Sequence, residues 1–365
     1  MPQLFIHKKI LIAPLDWGLG HATRCIPLIK HLQQIGCEVI VAADGEQLIL
    51  LQQEFPGINT IPLKGYNAYY SKLKRWLPLK ILLQSPKFLL SIYQERKWLQ
   101  KIMRDLEIDM VISDNRYGLY TKRVPCVFIT HQLRIKAGSK WLEDLIQRIN
   151  YRCINHYDEC WIPDFEGKLN IAGVLSHPLK VPSVPVKYIG ILSRFTCEQN
   201  LEKKYDYFFI ISGPEPQRTI FEKKILEVVP KLIGSVMIAR GKPGEQDIPH
   251  VPSNCTIVNH FATKEFQQVF SGSEFIISRS GYTTIMEILL LQKKSILIPT
   301  PGQTEQEYLA QHLMEQHWCY SCGQSDEVLS HINKSKAFQF IFPALNESSL
   351  HITVEEFYNR FGVAE

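Results

Sequence analysis

Short apolar runs alternate with helix-like stretches from Lys9 almost to the end of the chain. Halfway along, the alternation stops at a proline-rich passage and then starts again. The first series has candidate strands at Lys9–Pro14, Glu38–Ala43, Met110–Ser113, Val127–Thr130 and Glu159–Ile162. Helix-like stretches such as Ala22–Ile35, closed by Gly36, and Lys140–Asn155 lie between them. A strand covered on both faces reads as a continuous apolar run, and parallel neighbours need a helical crossover, so this pattern predicts a buried parallel sheet. From His177 to Gly190 the passage HPLKVPSVPVKYIG, with Pro178, Pro182 and Pro185, reads as an extended connector. The series restarts with Phe208–Ser212, Ser235–Ala239, Thr256–Val258, Phe275–Ser278 and Ser295–Pro299. The expectation is an α/β chain of two Rossmann-like, doubly wound parallel-sheet domains. The first spans 1–176, the linker 177–196 and the second 197–345, and a tail at 346–365 holds a helix (Val354–Phe361) that crosses back onto the first domain. A length of 365 residues suits two cores of ordinary size.

Apolar residues make up 45% of the chain and charged ones 21%, as in ordinary globular proteins. No run approaches the ~20 uninterrupted apolar residues that cross a bilayer. Lys8 and Lys9 precede the short run ILIAP, which is not the pattern of a secretory leader, so a cytoplasmic protein is expected. The nine cysteines are scattered and odd in number, which argues against a disulfide framework. Cys319 and Cys322 form a lone C-x-x-C with no second pair at zinc spacing, so no metal site is expected. The net charge is +5, unevenly spread. Between Lys64 and Arg104 stand ten Lys or Arg and one acid, Glu95, a net +9 that leaves the rest of the chain at −4. A uniformly basic nucleic-acid binder does not look like this, and no nucleic-acid motif is present.

The richest stretch chemically is Ser278–Tyr308, SRSGYTTIMEILLLQKKSILIPTPGQTEQEY. Ser280 and Gly281 stand where a buried strand gives way to a helix that continues through Thr283. Free N–H groups and the helix dipole suit a phosphate there. Glu287, one to two turns further on, can accept hydrogen bonds from a ribose diol. After the next strand, Gln303, Glu305 and Gln306 supply acceptors and amides suited to sugar hydroxyls. Diphosphate, ribose, hexose is the order of parts in a nucleotide-sugar.

This stretch resembles the donor-binding half of the GT-B glycosyltransferases, and among them the family 28 (MurG-type) N-acetylglucosaminyltransferases. Arg279, Ser280, Gly281 and Glu287 keep the spacing of that family's R-S-G segment and ribose-binding Glu. Pro299 leads to Gln306 as in the family's sugar-contacting loop, but Glu307 replaces the second Gln of its Gln-Gln pair. The resemblance implies a GT-B fold, two domains facing a central cleft that holds the active site. It also implies an inverting transfer from a nucleotide-sugar, UDP-linked in this family, to a hydroxyl acceptor, without metal or cofactor.

Asp16–His21, DWGLGH, follows the first strand, and Gly18 and Gly20 permit a tight turn there. Thr23 stands where a dinucleotide fingerprint has its third Gly, and only Asp44 offers itself as a ribose acid, which disfavours an oxidoreductase. The resemblance places a Gly-rich turn ending in His here. His21 then becomes the general base or an electrostatic group near the reacting centre, since a neutral imidazole can take a proton from an attacking hydroxyl. Its alternative is a histidine that only satisfies a helix N-terminus. Arg24 either holds an acceptor phosphate or caps a solvated face. Asp114 and His131 lie at strand C-terminal ends, which face the ligand crevice in open α/β sheets, so both are acceptor-side candidates and Asp114 is the second choice of base.

On the donor side the resemblance brings Arg194 near the phosphates and Ser212 and Gly213 to the diphosphate, with Gln217 or Arg218 in reserve. Phe261 falls where the family binds the base through its backbone, or is simply a core aromatic. Arg240 either reaches the nucleotide or pairs with a surface acid. A 2-epimerase and a non-catalytic nucleotide-sugar-binding subunit are the competing classes.

The basic segment contains WLPLKILL, Trp76–Leu83, flanked by Lys72, Lys74, Arg75, Lys80 and Lys87, with Tyr66, Tyr69 and Tyr70 just before. Pro78 argues against one long buried helix. An apolar hook with a cationic rim suits the headgroup boundary of an anionic bilayer, and with it a lipid-linked acceptor. Beyond the hook, Leu89, Ile92, Leu99, Met103 and Leu106 are expected to pack a helix face on the sheet.

Overall fold

The structure is a computed structural model that describes residues 7–66, 77–196, 202–242, 244–345 and 349–361, with the backbone alone for 77–86. The chain divides into two units, Met1–Leu192 with Asn346–Glu365, and Ser193–Leu345.

In the first unit the elements run β1 (Lys9–Pro14), α1 (Leu19–Gln34), β2 (Glu38–Ala43), α2 (Gly45–Glu54), β3 (Asn59–Pro62), α3 (Leu77–Asp105), β4 (Met110–Asp114), β5 (Cys126–Ile129), α4 (Lys140–Ile154), β6 (Glu159–Ile162) and β7 (Val186–Tyr188). The seven strands are parallel in the order β3-β2-β1-β4-β5-β6-β7. The order reverses between β1 and β4, so the loop after β1 and the end of β4 open onto the crevice where such sheets take ligands. Leu11, Val111, Phe128 and Cys160 centre the core on one face of this sheet.

The second unit runs β8 (Tyr205–Ile210), α5 (Gln217–Val228), β9 (Val236–Ala239), β10 (Cys255–Val258), α6 (Thr263–Ser271), β11 (Ser273–Ser278), α7 (Tyr282–Leu290), β12 (Lys294–Leu297), α8 (Thr304–Glu315), β13 (Tyr320–Ser321) and α9 (Val328–Lys336). Its six parallel strands follow the order β10-β9-β8-β11-β12-β13, reversing between β8 and β11. Phe209, Phe221, Ile277 and Ile296 lie in its core. The last helix, α10 (Leu350–Phe361), belongs to the first unit. Phe357 meets Trp161 edge-on, and Ser349 donates to the carbonyl of Tyr188.

Three expectations are corrected. The proline-rich passage is not merely a connector, because Val186–Tyr188 pairs with β6 as the edge strand of the first sheet. Pro178, Pro182 and Pro185 all precede the pairing, where a missing N–H breaks no ladder bond. Pro78 does not prevent a long helix. It sits in the first turn of α3, whose N–H groups have no helical partner anyway, and the helix continues for 29 residues. Leu89 does not pack on the sheet, being 60% exposed, whereas Leu99 is buried and Met103 and Leu106 pack against the core. Trp76, Tyr69, Tyr70, Lys72, Lys74 and Arg75 lie outside the described residues.

Candidate active site

In the first unit the β1–α1 turn is set from two sides. Gln47 of α2 donates to the carbonyls of Leu15 (2.5 Å) and Gly18 (2.7 Å), and Asp16 accepts from the Tyr66 N–H (3.1 Å). Gly18 holds φ +78° just before α1, and Gly65 is obligatory because a Cβ there would lie 1.5 Å from the Asp16 carboxylate. This turn places His21 and Arg24 in the opening turns of α1, facing the end of β4. Arg24 is almost completely buried, so the solvated alternative is wrong. It donates from Nε to Asp114 Oδ2 (2.7 Å) and from Nη2 to Asp114 Oδ1. Its Nη1 stands 3.1 Å from His131 Nδ1, just past β5. His21 Nδ1 lies 3.0 Å from Asp114 Oδ2 and 2.8 Å from Arg24 Nη2. Four candidates separated by over a hundred residues of sequence thus form one hydrogen-bonded cluster.

Burial alone would raise the Asp114 carboxyl, but Arg24 and His21 outweigh it and bring it to about 2, so Asp114 is ionised and surrounded by donors. Burial and the Arg24 charge lower the His21 imidazole below its ordinary value against the pull of Asp114. His21 is therefore neutral near pH 7.

In the second unit Gly281 precedes α7 with no side chain capping the helix's first N–H groups. The Ser280 hydroxyl is already used, donating to the carbonyl of Gln306 (2.8 Å). Thr283 follows in the first turn of α7. Glu287 is buried on the same helix. Its carboxylate is paired, since Arg194 donates from Nε to Glu287 Oε1 at 2.9 Å. Burial raises the Glu287 carboxyl and Arg194 opposes this. The Arg194 guanidinium also stacks over Phe266, 4.5 Å from the ring centroid. His260, which the sequence reading passed over, lies nearby with a buried, unpartnered Nε2, and its imidazole is lowered by burial and then by Arg194.

The amide-rich loop is partly structural. Gln306 accepts from the Thr300 N–H through its side chain (2.9 Å), and Glu307, standing in place of the second Gln, accepts from the Gly302 N–H (3.1 Å). Gln303 stands at the N-terminal boundary of α8 with no side-chain capping bond, and Glu305 sits in its first turn. Arg240 takes the pairing alternative, though its acid is buried. It donates to Glu222 and, from Nη1, to the Asn259 side chain (2.8 Å) and the Asp247 carbonyl (2.6 Å), so it braces a loop. Phe261 meets Phe208 and Phe266 edge-on, as a core-linked aromatic does.

Ser212 and Gly213 follow β8 at the switch point, Gly213 at φ +109°. A side chain at Gly213 would come within 3.5 Å of Thr300 Oγ1 and 3.9 Å of Arg279 Nε, and both of these atoms are buried without a partner. Arg279 donates to carbonyls and to the Gln324 amide and stacks over the Phe221 ring, 4.1 Å from its centroid, and burial brings it down to about 10. Among the described residues no group of three His, Cys, Asp or Glu could hold a metal ion, and no helix is long and apolar enough to cross a membrane.

Residues 209–335 match the sequence profile of the glycosyltransferase family 28 C-terminal domain. An uncharacterized glycosyltransferase of Methanosarcina acetivorans is 26% identical over 327 residues, 82% of this chain and 81% of that one. The UDP-N-acetylglucosamine–N-acetylmuramyl-(pentapeptide) pyrophosphoryl-undecaprenol N-acetylglucosamine transferase of Legionella pneumophila is 24% identical over 303 residues, 78% of this chain and 75% of that one. Among solved structures, the calicheamicin glycosyltransferase CalG4 aligns at TM-score 0.62 and 11% identity over 97% of this chain and 94% of its own. MurG of Acinetobacter baumannii aligns at TM-score 0.53 and 15% identity over 94% of both chains.

Proposed function

We propose that this chain, a GT-B glycosyltransferase whose C-terminal half carries a family 28 domain, moves a hexose or N-acetylhexosamine from a UDP-sugar to a hydroxyl acceptor by a single inverting displacement. The observation that carries this reading is the buried pair of Arg194 with Glu287 of α7, a helix with an uncapped N-terminus at the sheet's switch point. A nucleotide-sugar offers each partner a replacement. The ribose diol donates to the carboxylate, and the diphosphate accepts from the guanidinium and the helix N–H groups.

In the proposed reaction His21 Nε2 takes the proton of the acceptor hydroxyl while Asp114 keeps the Nδ1–H. The hydroxyl oxygen bonds to the anomeric carbon as that carbon's bond to the diphosphate breaks. The electron pair leaves on the diphosphate, where α7 and Arg194 meet it. Asp114, occupied by donors, serves as the partner of His21 rather than as the base. The activity of the Legionella relative favours UDP and N-acetylglucosamine, and transfer over 2-epimerisation or simple binding.

The acceptor is proposed to be lipid-linked. Exposed Leu89, Leu90 and Tyr93 on α3, and exposed Trp141, Leu145 and Ile149 on α4, lie among Lys87, Lys97, Lys140, Arg148 and Arg152. Tyr117 bridges the two helices, 5.6 Å from the Phe88 ring and bonded to Asn150 (2.8 Å). Titration calorimetry with UDP-, TDP-, GDP- and CMP-sugars tests the donor. A UDP-sugar should bind most tightly, and heat from none of them would end this reading.

A further inference from the structure

Beside the cluster at Asp114, the first unit buries a second ion pair that no step of the proposed reaction uses. Arg116, just past β4, and Glu95 of α3 are almost wholly buried, and Arg116 Nε donates to Glu95 Oε1 at 2.7 Å. Their other contacts gather at the edge where β1 and β4 end. Arg116 Nη1 donates to the carbonyl of Pro14 (3.2 Å), the register partner of Asp114, and Nη2 donates to that of Lys64 (2.5 Å). Glu95 Oε2 accepts from the Gly118 N–H (2.9 Å) and from the Tyr66 hydroxyl (2.7 Å). That hydroxyl accepts from the Tyr117 N–H (2.9 Å), and the Tyr66 N–H goes to Asp16 (3.1 Å). Asn115, at φ +58°, turns the chain between Asp114 and Arg116, and the Ser113 and Tyr157 hydroxyls both donate to the Arg116 carbonyl. The helix is drawn close onto this edge, since a Cβ at Gly118 would lie 2.3 Å from the Ile92 carbonyl.

A pair buried in this way is weak evidence for stability, because well-packed apolar residues of similar volume often serve the fold as well. What apolar residues cannot do is hold several carbonyls and N–H groups at fixed points. Here those points belong to the two segments that meet at the candidate base. Pro14 and Asp16 lead into α1, which carries His21, while Tyr117 and Gly118 follow Asp114, which His21 meets at 3.0 Å. We propose that Arg116 and Glu95 are the positioning pair of the acceptor-side site: directly and through Tyr66, they hold the β1–α1 turn against the end of β4 and so keep His21 within hydrogen-bond reach of Asp114. Neither residue touches the reacting atoms. The inference rests on the reading of His21 as the base only for its consequence in catalysis, a fall in kcat of ~10²-fold, the order that an ångström of misplacement costs.

The double variant Glu95→Leu with Arg116→Met tests this in the full chain without any substrate. It removes one charge of each sign, so the net charge stays the same and a changed titration reports geometry. The variant should still melt cooperatively. The readout is the His21 protonation midpoint, followed by NMR of the histidine-labelled protein and assigned with His21→Gln. Burial is the first influence on that midpoint, ahead of Arg24 on the same helix, Asp114 at the end of β4 and His131 past β5. A turn that slips from β4 exposes the ring, so the midpoint should rise toward the ordinary 6.5 by about half a pH unit or more, roughly threefold in proton affinity. Amide exchange across residues 15–21 should quicken with it. A folded double variant with the native midpoint and native exchange would overturn the proposal and leave the pair as support for the fold alone. Should the double variant fail to fold, Tyr66→Phe decides: losing only the hydroxyl, it should move the midpoint in the same direction, and no movement would overturn the proposal. A moved midpoint beside a fully active His21→Ala would sink the base reading and leave the positioning standing. An unmoved midpoint beside an inactive His21→Ala would do the reverse.

Discussion

Arg194 and Glu287 carry the donor reading, and their burial changes what a substitution there does. Both side chains are under a tenth exposed, so Glu287→Ala strands a guanidinium with its desolvation uncompensated. Breaking a buried pair this way costs roughly 3–5 kcal/mol, so the ligand-free variant should melt well below the native protein. Glu287→Gln keeps an acceptor for Arg194 and should lose less stability. It should still bind a UDP-sugar more weakly, by ~1.5–3 kcal/mol for a charge-assisted hydrogen bond. Thermal melts and titration calorimetry on the two variants separate these effects, and an unchanged melt for Glu287→Ala would show that the pair does not matter to the fold. His21 gives a prediction in pH. Its imidazole is lowered by burial first and Arg24 second, so the neutral, base-competent form persists below the ordinary value of 6.5. The acid limb of kcat/KM should therefore fall at a midpoint under 6.5, and His21→Ala should lose ~10²–10⁴ in rate with donor affinity retained. An acid limb above 6.5 would assign the titration to another group.

At the scale of elements, α3 and α4 each carry three exposed apolar side chains where solvent should favour charge: Leu89, Leu90 and Tyr93 on α3, and Trp141, Leu145 and Ile149 on α4. Trp141, Leu145 and Ile149 recur at every fourth position of α4, and all are exposed. If this face docks on anionic lipid, the paired change Leu145→Asp and Ile149→Asp should release the protein from anionic vesicles without altering its melt, since neither residue supports the core. The native protein should sediment with such vesicles at low salt and leave them at high salt, because each cation near the surface contributes only about 1 kcal/mol. Sedimentation that ignores both lipid charge and salt would remove the membrane from the reading. The same helices mark the limit of what the sequence could say. Strands β1, β2 and β6 were legible to the residue, because central strands are apolar without interruption. Edge strands β3, β7 and β13 were not. They are two to four residues long and read locally as polar or proline-rich, and their only specification is the neighbour they pair with. The position of Leu89 failed for a related reason: helical spacing gives a face, not how far along the sheet that face extends. The candidate cluster around Asp114 was visible as residues at strand ends. Its wiring through Arg24 depends on a meeting across ninety residues that no local pattern records.

For the molecule as a whole, each unit has its own core, and every residue assigned to the donor lies in Ser193–Leu345. A ligand that binds only the folded state stabilises what it binds by ~2.7 kcal/mol at a hundredfold excess over its dissociation constant. A UDP-sugar should therefore protect the second unit more than the first. The cysteines make this readable without new labels. Cys25, Cys37, Cys126 and Cys160 are buried in the first unit, and Cys255, Cys319 and Cys322 in the second, all as free thiols. Burial raises Cys37, Cys126, Cys319 and Cys322 to about 12, so in the folded protein these thiols are neither ionised nor reachable, and labelling reports opening. Pulsed thiol labelling in moderate urea, read by peptide mass, should show saturating UDP-sugar slowing modification at Cys255, Cys319 and Cys322 by up to about a hundredfold, with little change at Cys37 and Cys126. Glu287→Gln should abolish the difference at the same donor concentration. Protection shared equally by both sets would mean that the units open as one cooperative block, and protection confined to the first set would place the donor on the wrong unit and overturn the assignment of Arg194 and Glu287 together.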